Sequence, residues 1–273
     1  MKKNQKESNK RKQFTGINSS GLIMLACLAI AVAIYHYIFG NPANFINNDP
    51  NNHPLDGNLL GTIYKGGIIV PIIQTLLLTV LALSVERFFA IKSAQGTGKL
   101  VKFVQEIKVL LAKGDIKGAT AVCDKQRGSV ANVVTSALVK YEEVEQDSSL
   151  SKEQQILAIQ KEVEEATALE LPMLSQNLPI VATITTLGTL MGLLGTVIGM
   201  IRSFASLAGA GGTDSIALSQ GISEALINTA FGIATGALAV ISYNYFTSKI
   251  DKITYCIDEV GFSIVQTFAA SHK

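Results

Sequence analysis

The sequence predicts an all-α membrane protein with four transmembrane helices, two of them long and extending into a cytoplasmic helical domain. Hydrophobic residues make up 48% of the chain and charged residues only 16%, whereas about 25% of the residues of a soluble domain are charged. The charge is concentrated in an N-terminal tail and one central block, and long stretches have none. This uneven distribution is typical of membrane spans separated by aqueous segments.

The first span follows a basic tail at residues 1–20. The apolar stretch 21–40 is long enough to cross a bilayer. A cleaved signal peptide covering residues 1–33 is the alternative, because Ala31-Val32-Ala33 has the small-residue pattern of a cleavage site. The apolar run continues beyond this site through Ile34 and Phe39, which favours a retained signal-anchor helix.

Composition divides the rest of the chain into alternating polar and apolar segments. In order, these are loop 41–66, span 67–91, polar block 92–177, span 178–207, loop 208–215, span 216–246 and tail 247–273. The first loop is rich in Asn, Pro and Asp, and the polar block shows helical periodicity. The sequence therefore predicts three further spans after the first.

The Lys and Arg residues predict the orientation, because positively charged segments stay in the cytoplasm. Of the 23 such residues, six lie in the N-terminal tail, eleven in block 92–177 and three in the C-terminal tail. Loop 41–66 has only Lys65, and loop 208–215 has none. We therefore expect both termini and the polar block in the cytoplasm, and both loops on the opposite side of the membrane.

The polar block is expected to form a helical collar that holds subunits together. Its periodicity predicts helices at about 98–113, 115–126, 129–143 and 152–176. Lys113-Gly-Asp115 supplies a stop and an N-cap, and Ser149 or Ser151 opens the fourth helix. That helix continues towards the third span without a clear break, which predicts one very long helix. Eleven basic against twelve acidic residues in this block predict no nucleic-acid partner.

The cysteines and histidines match no pattern for a metal site. Cys27, Cys123 and Cys256 lie far apart, and no C-x-x-C occurs. We expect three unpaired apolar thiols, no metal and no cofactor. The chain also lacks G-x-S-x-G, H-E-x-x-H and paired intramembrane aspartates, so no enzyme activity is expected.

Hydroxyl-bearing and small residues lie on two faces of the third span. Thr185, Thr189 and Thr196 share one face with Gly192. Each hydroxyl either bonds a carbonyl of its own helix or lines a pore, and the sequence leaves both readings open. A neighbouring face carries Gly188, Gly192, Gly195 and Gly199. In lipid, such small residues let helices approach closely, so this face is expected to pack against another helix.

Glu224 is the only acidic residue in the fourth span. An ionised carboxylate in hydrocarbon costs at least ~2.5 kcal/mol, so Glu224 must be paired, protonated or facing water. A group of this kind is suited to taking up and releasing protons, and a hydrogen bond to a neighbouring helix is the structural alternative. Asn228 and Thr235 extend its polar stripe. A second, small-residue stripe beside it consists of Ala225, Thr229, Gly232 and Gly236.

Five motifs occur in a fixed order along the chain. The third span contains Gly192-Leu-Leu-Gly-Thr-Val197, and the fourth contains Gly221-Ile-Ser-Glu-Ala-Leu-Ile-Asn-Thr-Ala-Phe-Gly232. Tyr243-Asn244 lies near the end of the fourth span, Glu86-Arg87 lies near the end of the second, and a Gly-Asp pair falls within 112–119. In type and order these motifs resemble those of the ExbB/TolQ proton-channel family, and most of all ExbB, over about residues 65–260.

The resemblance implies a homo-pentamer of this chain that encloses the transmembrane helices of an ExbD/TolR-type single-span partner. Proton flow would then move that partner and, through a TonB-like protein, energise outer-membrane transport. By the motif match, Thr196, Glu224 and Thr229 take the pore-lining positions of the family. Asn228, Thr189 and Thr185 are further candidates for the proton pathway, and membrane lipid is the remaining partner.

Three features depart from the family pattern. Thr189 and Leu238 stand where the family often has Pro, and the span 21–40 is additional to the usual three. Glu224 and Thr229 also lie about 140° apart on an ideal helix. Asn228 lies only about 40° from Glu224 and is therefore the better companion for it on one narrow face.

Three alternative functions remain. Two belong to the same superfamily, a TolQ-like subunit of the Tol–Pal system and a MotA-like stator. The Glu of Gly-Ile-Ser-Glu-Ala-Leu favours the ExbB/TolQ branch over the stator. The third is a membrane scaffold that conducts no ions, in which Glu224 is a packing residue.

Overall fold

The computed structural model describes residues 20–147, 149–209 and 215–271. Its α-helices are α1 (Ser20–Ile34), α2 (Leu59–Lys65), α3 (Ile69–Gln95), α4 (Leu100–Ala112), α5 (Ile116–Gln126), α6 (Gly128–Gln146), α7 (Lys152–Ser175), α8 (Leu178–Gly209) and α9 (Ser215–Ser271). A π-helical turn at Tyr35–Phe39 extends α1. Residues 1–19 of the predicted tail and 210–214 of the predicted loop lie outside the described residues.

Four helical stretches in the described chain are long and apolar enough to cross a membrane. They are Ser20–Phe39, Ile69–Ala112, Lys152–Ala205 and Gly221–Ser271. The described residues contain an isolated bridge between Phe45 and Pro54 but no strand. The prediction of an all-α protein with four apolar spans is therefore confirmed.

The described chain divides into two compact units. The first, which we call the polar unit, contains Glu86–Gln176 and the chain from Tyr245 onward. The second, the apolar unit, contains the chain up to Val85 together with Asn177–Asn244. Each unit has a core of its own.

The polar unit contains the four helices that the sequence predicted in its central block. Asp115 caps α5 by accepting a hydrogen bond from the Gly118 amide at 2.8 Å, and Ser151, not Ser149, opens α7 in a capping box with Gln154. Fully or almost fully buried apolar side chains from α4, α6, α7 and α9 form its core, including Ile107, Leu111, Leu138, Ile159, Ile257 and Phe268. The polar unit is thus held together by apolar burial along amphipathic helices.

Arg87 is a fully buried cation in the polar unit. Its guanidinium pairs with the neighbouring Glu86 carboxylate and donates to the carbonyl oxygens of Met173 at 3.1 Å and Leu174 at 3.3 Å. Both carbonyls belong to the last turn of α7, where the helix leaves its own carbonyls without partners. Arg87 therefore both neutralises a buried acid and caps a helix end.

The prediction of one unbroken helix from residue 152 through the third span is wrong. α7 ends at Ser175 and α8 begins at Leu178. Asn177 between them has a φ of 66°, the left-handed conformation that asparagine tolerates better than most residues and that ends an α-helix. The break leaves the last carbonyls of α7 available to Arg87.

The apolar unit contains α1, α2, the first part of α3, α8 and the first part of α9. Its core cluster consists of Leu76, Val80, Leu83, Val181, Ile184 and Ala239. Ser84 and Ser242 share a hydrogen bond of 3.0 Å between α3 and α9. Within the predicted loop 41–66, residues 59–65 form α2, which Asn58 caps through the Gly61 amide.

Candidate functional site

Glycines on α8 and α9 allow the two helix backbones to touch. A Cβ atom added to Gly192 would lie 3.1 Å from both the Asn228 carbonyl oxygen and the Gly232 Cα atom. One added to Gly188 would lie 3.2 Å from the Gly232 oxygen, and one added to Gly236 would lie 2.7 Å from the Thr185 oxygen. Gly195 and Gly199 face Asn228 and Ala225 in the same way. The structure thus brings the predicted packing glycines of both spans together.

Replacing Gly232 by Ala is expected to destabilise this contact. The added Cβ would lie 2.6 Å from the Gly188 carbonyl oxygen and 2.7 Å from the Gly192 Cα, and backbone atoms cannot turn aside as a side chain can. We expect a loss of about 1–3 kcal/mol, as for other overpacked interiors, measured as a lower melting temperature in detergent. Gly21→Ala is the matched control, since nothing lies within 4 Å of its Cβ. Equal melting temperatures for the two variants would contradict the prediction.

The Thr196 and Thr229 hydroxyls meet between α8 and α9. The Thr229 Oγ1 lies 3.2 Å from the Thr196 Oγ1 and donates to the Gly192 carbonyl oxygen at 3.0 Å. All three threonines of the predicted stripe donate to carbonyl oxygens of α8, namely those of Ala182, Thr185 and, at 2.7 Å from Thr196, Leu193. Only the Thr196 hydroxyl also contacts a hydroxyl of α9.

An open groove of about 530 Å³ begins at Thr196. The rest of its lining is apolar and comes from α8, namely Val197, Met200, Ile201 and Phe204. The hydroxyl pair thus stands at the edge of an apolar surface.

Glu224 lies near two cations that the sequence analysis did not assign to the site. It is half-buried on α9, and the charges of Lys65 and Arg202 both act on its carboxylate. Arg202 could have been assigned to the site from the sequence. It is a single cation in a long apolar stretch, and a cation in a membrane needs a charged or polar partner. Lys65 was counted only for the orientation of the chain.

Asn228 is 3% exposed and lies one turn from Glu224. Its Nδ2 donates to the Gly66 carbonyl oxygen, in the turn between α2 and α3, at 3.0 Å. Its Oδ1 accepts no hydrogen bond from the described residues. The Asn228 side chain therefore lies between the α2–α3 turn and Gly195 of α8, whereas the Thr229 hydroxyl bonds the Gly192 carbonyl of α8.

The described residues contain no group of three or more His, Cys, Asp or Glu side chains arranged to hold a metal ion. The three cysteines are buried free thiols. Burial raises the pKa of Cys123, in the polar unit, to about 11, which keeps this thiol protonated and unreactive at neutral pH. The chemistry that the site offers is accordingly that of a carboxyl, an amide, two hydroxyls and two cations.

Comparison with known proteins gives a family match. Residues 130–259 match the model of the MotA/TolQ/ExbB proton channel family. The chain is 39% identical over 88 residues to an ExbB-like biopolymer transport protein of Synechocystis sp., an alignment that covers 32% of this chain and 42% of the relative. It is 34% identical over 84 residues to the Tol-Pal system protein TolQ of Haemophilus influenzae, covering 31% of this chain and 37% of the relative.

A longer alignment extends the similarity. The chain is 27% identical over 189 residues to the biopolymer transport protein ExbB of Pseudomonas putida, which covers 69% of this chain and 56% of the relative. In each case the aligned part is less than two thirds of the relative's own length. The resemblance to the ExbB/TolQ family that the motifs indicated is confirmed.

Proposed function

Because residues 130–259 match the model of the MotA/TolQ/ExbB proton channel family, we propose that this chain is the channel subunit of an ExbB–ExbD-type motor. The motor converts the proton motive force into mechanical work for TonB-dependent outer-membrane transport. Protons are the transported ion, and no cofactor takes part. The chain is a multi-pass membrane protein. We propose that it lies in a bacterial inner membrane with both termini in the cytoplasm, an orientation that the Lys and Arg distribution supports.

The observation that carries this proposal is the half-buried Glu224 beside the buried Asn228. A carboxyl group in a membrane span takes up and releases protons when water or a polar partner reaches it. The Asn228 Oδ1 accepts no hydrogen bond from the described chain and so offers an acceptor one turn away from the acid. Glu224 is therefore the proton-carrying group, and Asn228 is its companion.

The Thr196 and Thr229 hydroxyls extend the path for protons. A hydroxyl donates one hydrogen bond and accepts two. The Thr229 and Thr196 hydroxyls donate to the Gly192 and Leu193 carbonyls, and both rotate away from these carbonyls when the pair relays a proton. Their contact at 3.2 Å lies at the edge of the open, apolar groove on α8. Each proton that crosses a potential of ~100 mV releases about 2.3 kcal/mol, so several protons suffice to drive a conformational step.

The partners of the motor follow from the same assignment. We propose a homo-pentamer that surrounds an ExbD/TolR-type single-span helix, with a TonB-like protein as the recipient of the work. The open groove beside Thr196 is the surface that we assign to this helix, because it lies next to the hydroxyl pair.

A TolQ-like role in the Tol–Pal system is the second candidate. It is favoured by the TolQ relative of Haemophilus influenzae, whose identity of 34% over 84 residues is close to that of the ExbB-like relative. The two roles use the same channel and differ in the recipient of the work.

Deletion of the gene in its own organism separates the candidates. We expect the deleted strain to lose growth on a ferric siderophore as the only iron source, to keep its resistance to detergent, and to recover growth when the gene is returned. Detergent sensitivity with normal growth on the siderophore would instead establish the TolQ-like role. A strain with neither defect would contradict both and favour a non-conducting scaffold.

A further inference from the structure

Residues 35–67 of the apolar unit form a braced segment, which we call the cap. The Tyr35 and Tyr64 rings stack with their centroids 4.7 Å apart, and the Tyr35 hydroxyl donates to the Tyr64 carbonyl oxygen at 2.9 Å. Asn44 donates to the Ile38 and Phe39 carbonyl oxygens at 2.8 and 3.0 Å. These contacts tie the end of the first span to α2, so the cap holds its shape through local bonds.

The loop inside the cap is tied to α2 as well. Asn58, the N-cap of α2, donates to the Asn44 Oδ1 at 3.1 Å. Lys65, the last residue of α2, donates to the Asn51 carbonyl oxygen at 3.0 Å, and its Nζ lies 5.7 Å from the centre of the Phe45 ring. The loop is therefore bonded to α2 at both ends of that helix.

The cap ends in a turn that touches the proton-carrying site. The Gly66 carbonyl oxygen accepts the hydrogen bond from Asn228. A Cβ atom added to Gly67 would lie 3.0 Å from the Arg202 Nη1, so the guanidinium lies directly against this backbone. Three consecutive residues therefore adjoin the site. Lys65 acts on it through its charge, and Gly66 and Gly67 contact it through their backbone.

We propose that the cap is a positioning element for the proton path, and that its backbone at Gly66 and Gly67 holds Asn228 and Arg202 beside Glu224. This inference rests on the proposed function, in which Glu224 carries the proton. The cap lies N-terminal to residues 130–259, which match the proton-channel family. The first span and its loop are accordingly a working part of this channel and not only an anchor.

The cap can position Asn228 and Arg202 because it contacts both side chains through its backbone. The Gly66 carbonyl, in a partly buried turn, accepts from the buried Asn228 amide, and a buried amide that loses its acceptor pays its desolvation cost. Its side chain would then turn to find another partner. Contact with Gly67 likewise limits the positions that the Arg202 guanidinium can occupy. Small displacements of positioning groups have large effects on the reactions they serve.

Gly67→Ala tests the proposal against a matched control, Gly57→Ala. Both glycines have a left-handed φ, 73° and 76°, so alanine strains the backbone equally at the two positions. Only the Cβ at position 67 meets a neighbour, Arg202, and nothing lies within 4 Å at position 57. Any difference between the two variants therefore reports the contact with the site.

The complete complex is reconstituted in proteoliposomes, and two readouts are taken. The first is proton flux per assembled complex. The second is the infrared band of the Glu224 carboxyl group, identified by its loss in Glu224→Gln. We expect Gly67→Ala to lower the flux roughly tenfold or more and to shift the band, and Gly57→Ala to do neither.

A second variant covers the case in which Gly67→Ala does not assemble. Gly66 has a φ of −60°, which alanine adopts without strain, and its added Cβ would lie 2.6 Å from the Asn228 Oδ1. Gly66→Ala is expected to give the same two changes. An unshifted band and unchanged flux in the assembled glycine variants would overturn the inference. If the wild-type complex conducts no protons, the proposed function fails, and the infrared band alone decides whether the cap positions the site.

Discussion

Proton flux through the reconstituted complex is expected to fall by about a hundredfold or more when Glu224 is replaced by Gln. Glutamine keeps the size and the hydrogen-bonding capacity of the side chain but neither binds nor releases a proton near neutral pH. A positioned acid–base group typically contributes on the order of 10²- to 10⁴-fold to the rate of proton transfer. Asn228 and the Thr196–Thr229 pair do not replace it, because amides and hydroxyls do not ionise at neutral pH.

Two further variants serve as controls for Glu224→Gln. Glu224→Asp retains the carboxyl group on a shorter side chain and should restore part of the flux. Glu165→Gln removes a carboxylate that is 61% exposed and paired with Lys161 on the surface of α7, and should leave the flux unchanged. Normal flux in Glu224→Gln, with normal assembly, would show that Glu224 is a packing residue and that the proton takes another route.

Features that depend on neighbouring residues were predictable from the sequence. The Gly-Asp pair at 114 and 115 predicts the end of α4 and the cap of α5. The glycine adopts a φ of 72°, and the aspartate side chain accepts a hydrogen bond from an amide in the first turn of α5. Apolar stretches of sufficient length likewise mark the spans without any tertiary information. Glu224 and Asn228 stand out for the same reason, as polar residues in an apolar sequence.

Two local features were missed because their signals are weak. α2 has seven residues and an internal glycine, and a helix this short is stable only through its tertiary contacts. The break at Asn177 contains neither glycine nor proline. Pro172 and Pro179 lie nearby but inside α7 and α8, so the most visible helix breakers in the sequence do not mark the boundary.

The surroundings of the candidate site depend on contacts between distant residues. Asn228 and Gly66 are 162 positions apart, and no pattern in either segment indicates their hydrogen bond. The same holds for Arg202, which lies against Gly67. The motif match gave Thr196 and Thr229, but only the structure shows which face of α9 each polar residue uses. The acid could therefore be chosen from the sequence, whereas its electrostatic partners could not.

Replacing Arg87 by Met is expected to destabilise the protein by about 3–5 kcal/mol, the cost of removing one member of a buried ion pair. The change leaves the Glu86 carboxylate, itself 5% exposed, without the guanidinium. It also removes the donor to the Met173 and Leu174 carbonyls at the end of α7, and buried acceptors that lose their donors add to the loss. A melting temperature lower by roughly 10 °C or more in detergent is the corresponding observation.

Arg87→Lys distinguishes the charge from the shape of the guanidinium. Lysine keeps the positive charge but lacks the planar fork that reaches a carboxylate and two carbonyls at once, so an intermediate loss is expected. The control is Lys161→Met, because Lys161 is 72% exposed and its pair with Glu165 on α7 should contribute less than about 1 kcal/mol. If Arg87→Met and Lys161→Met have the same melting temperature, the buried pair does not stabilise the polar unit, and the end of α7 must be held by the apolar core alone. A lower melting temperature in Arg87→Met and Arg87→Lys, with that of Lys161→Met unchanged, would instead establish that the Glu86-Arg87 pair stabilises the polar unit.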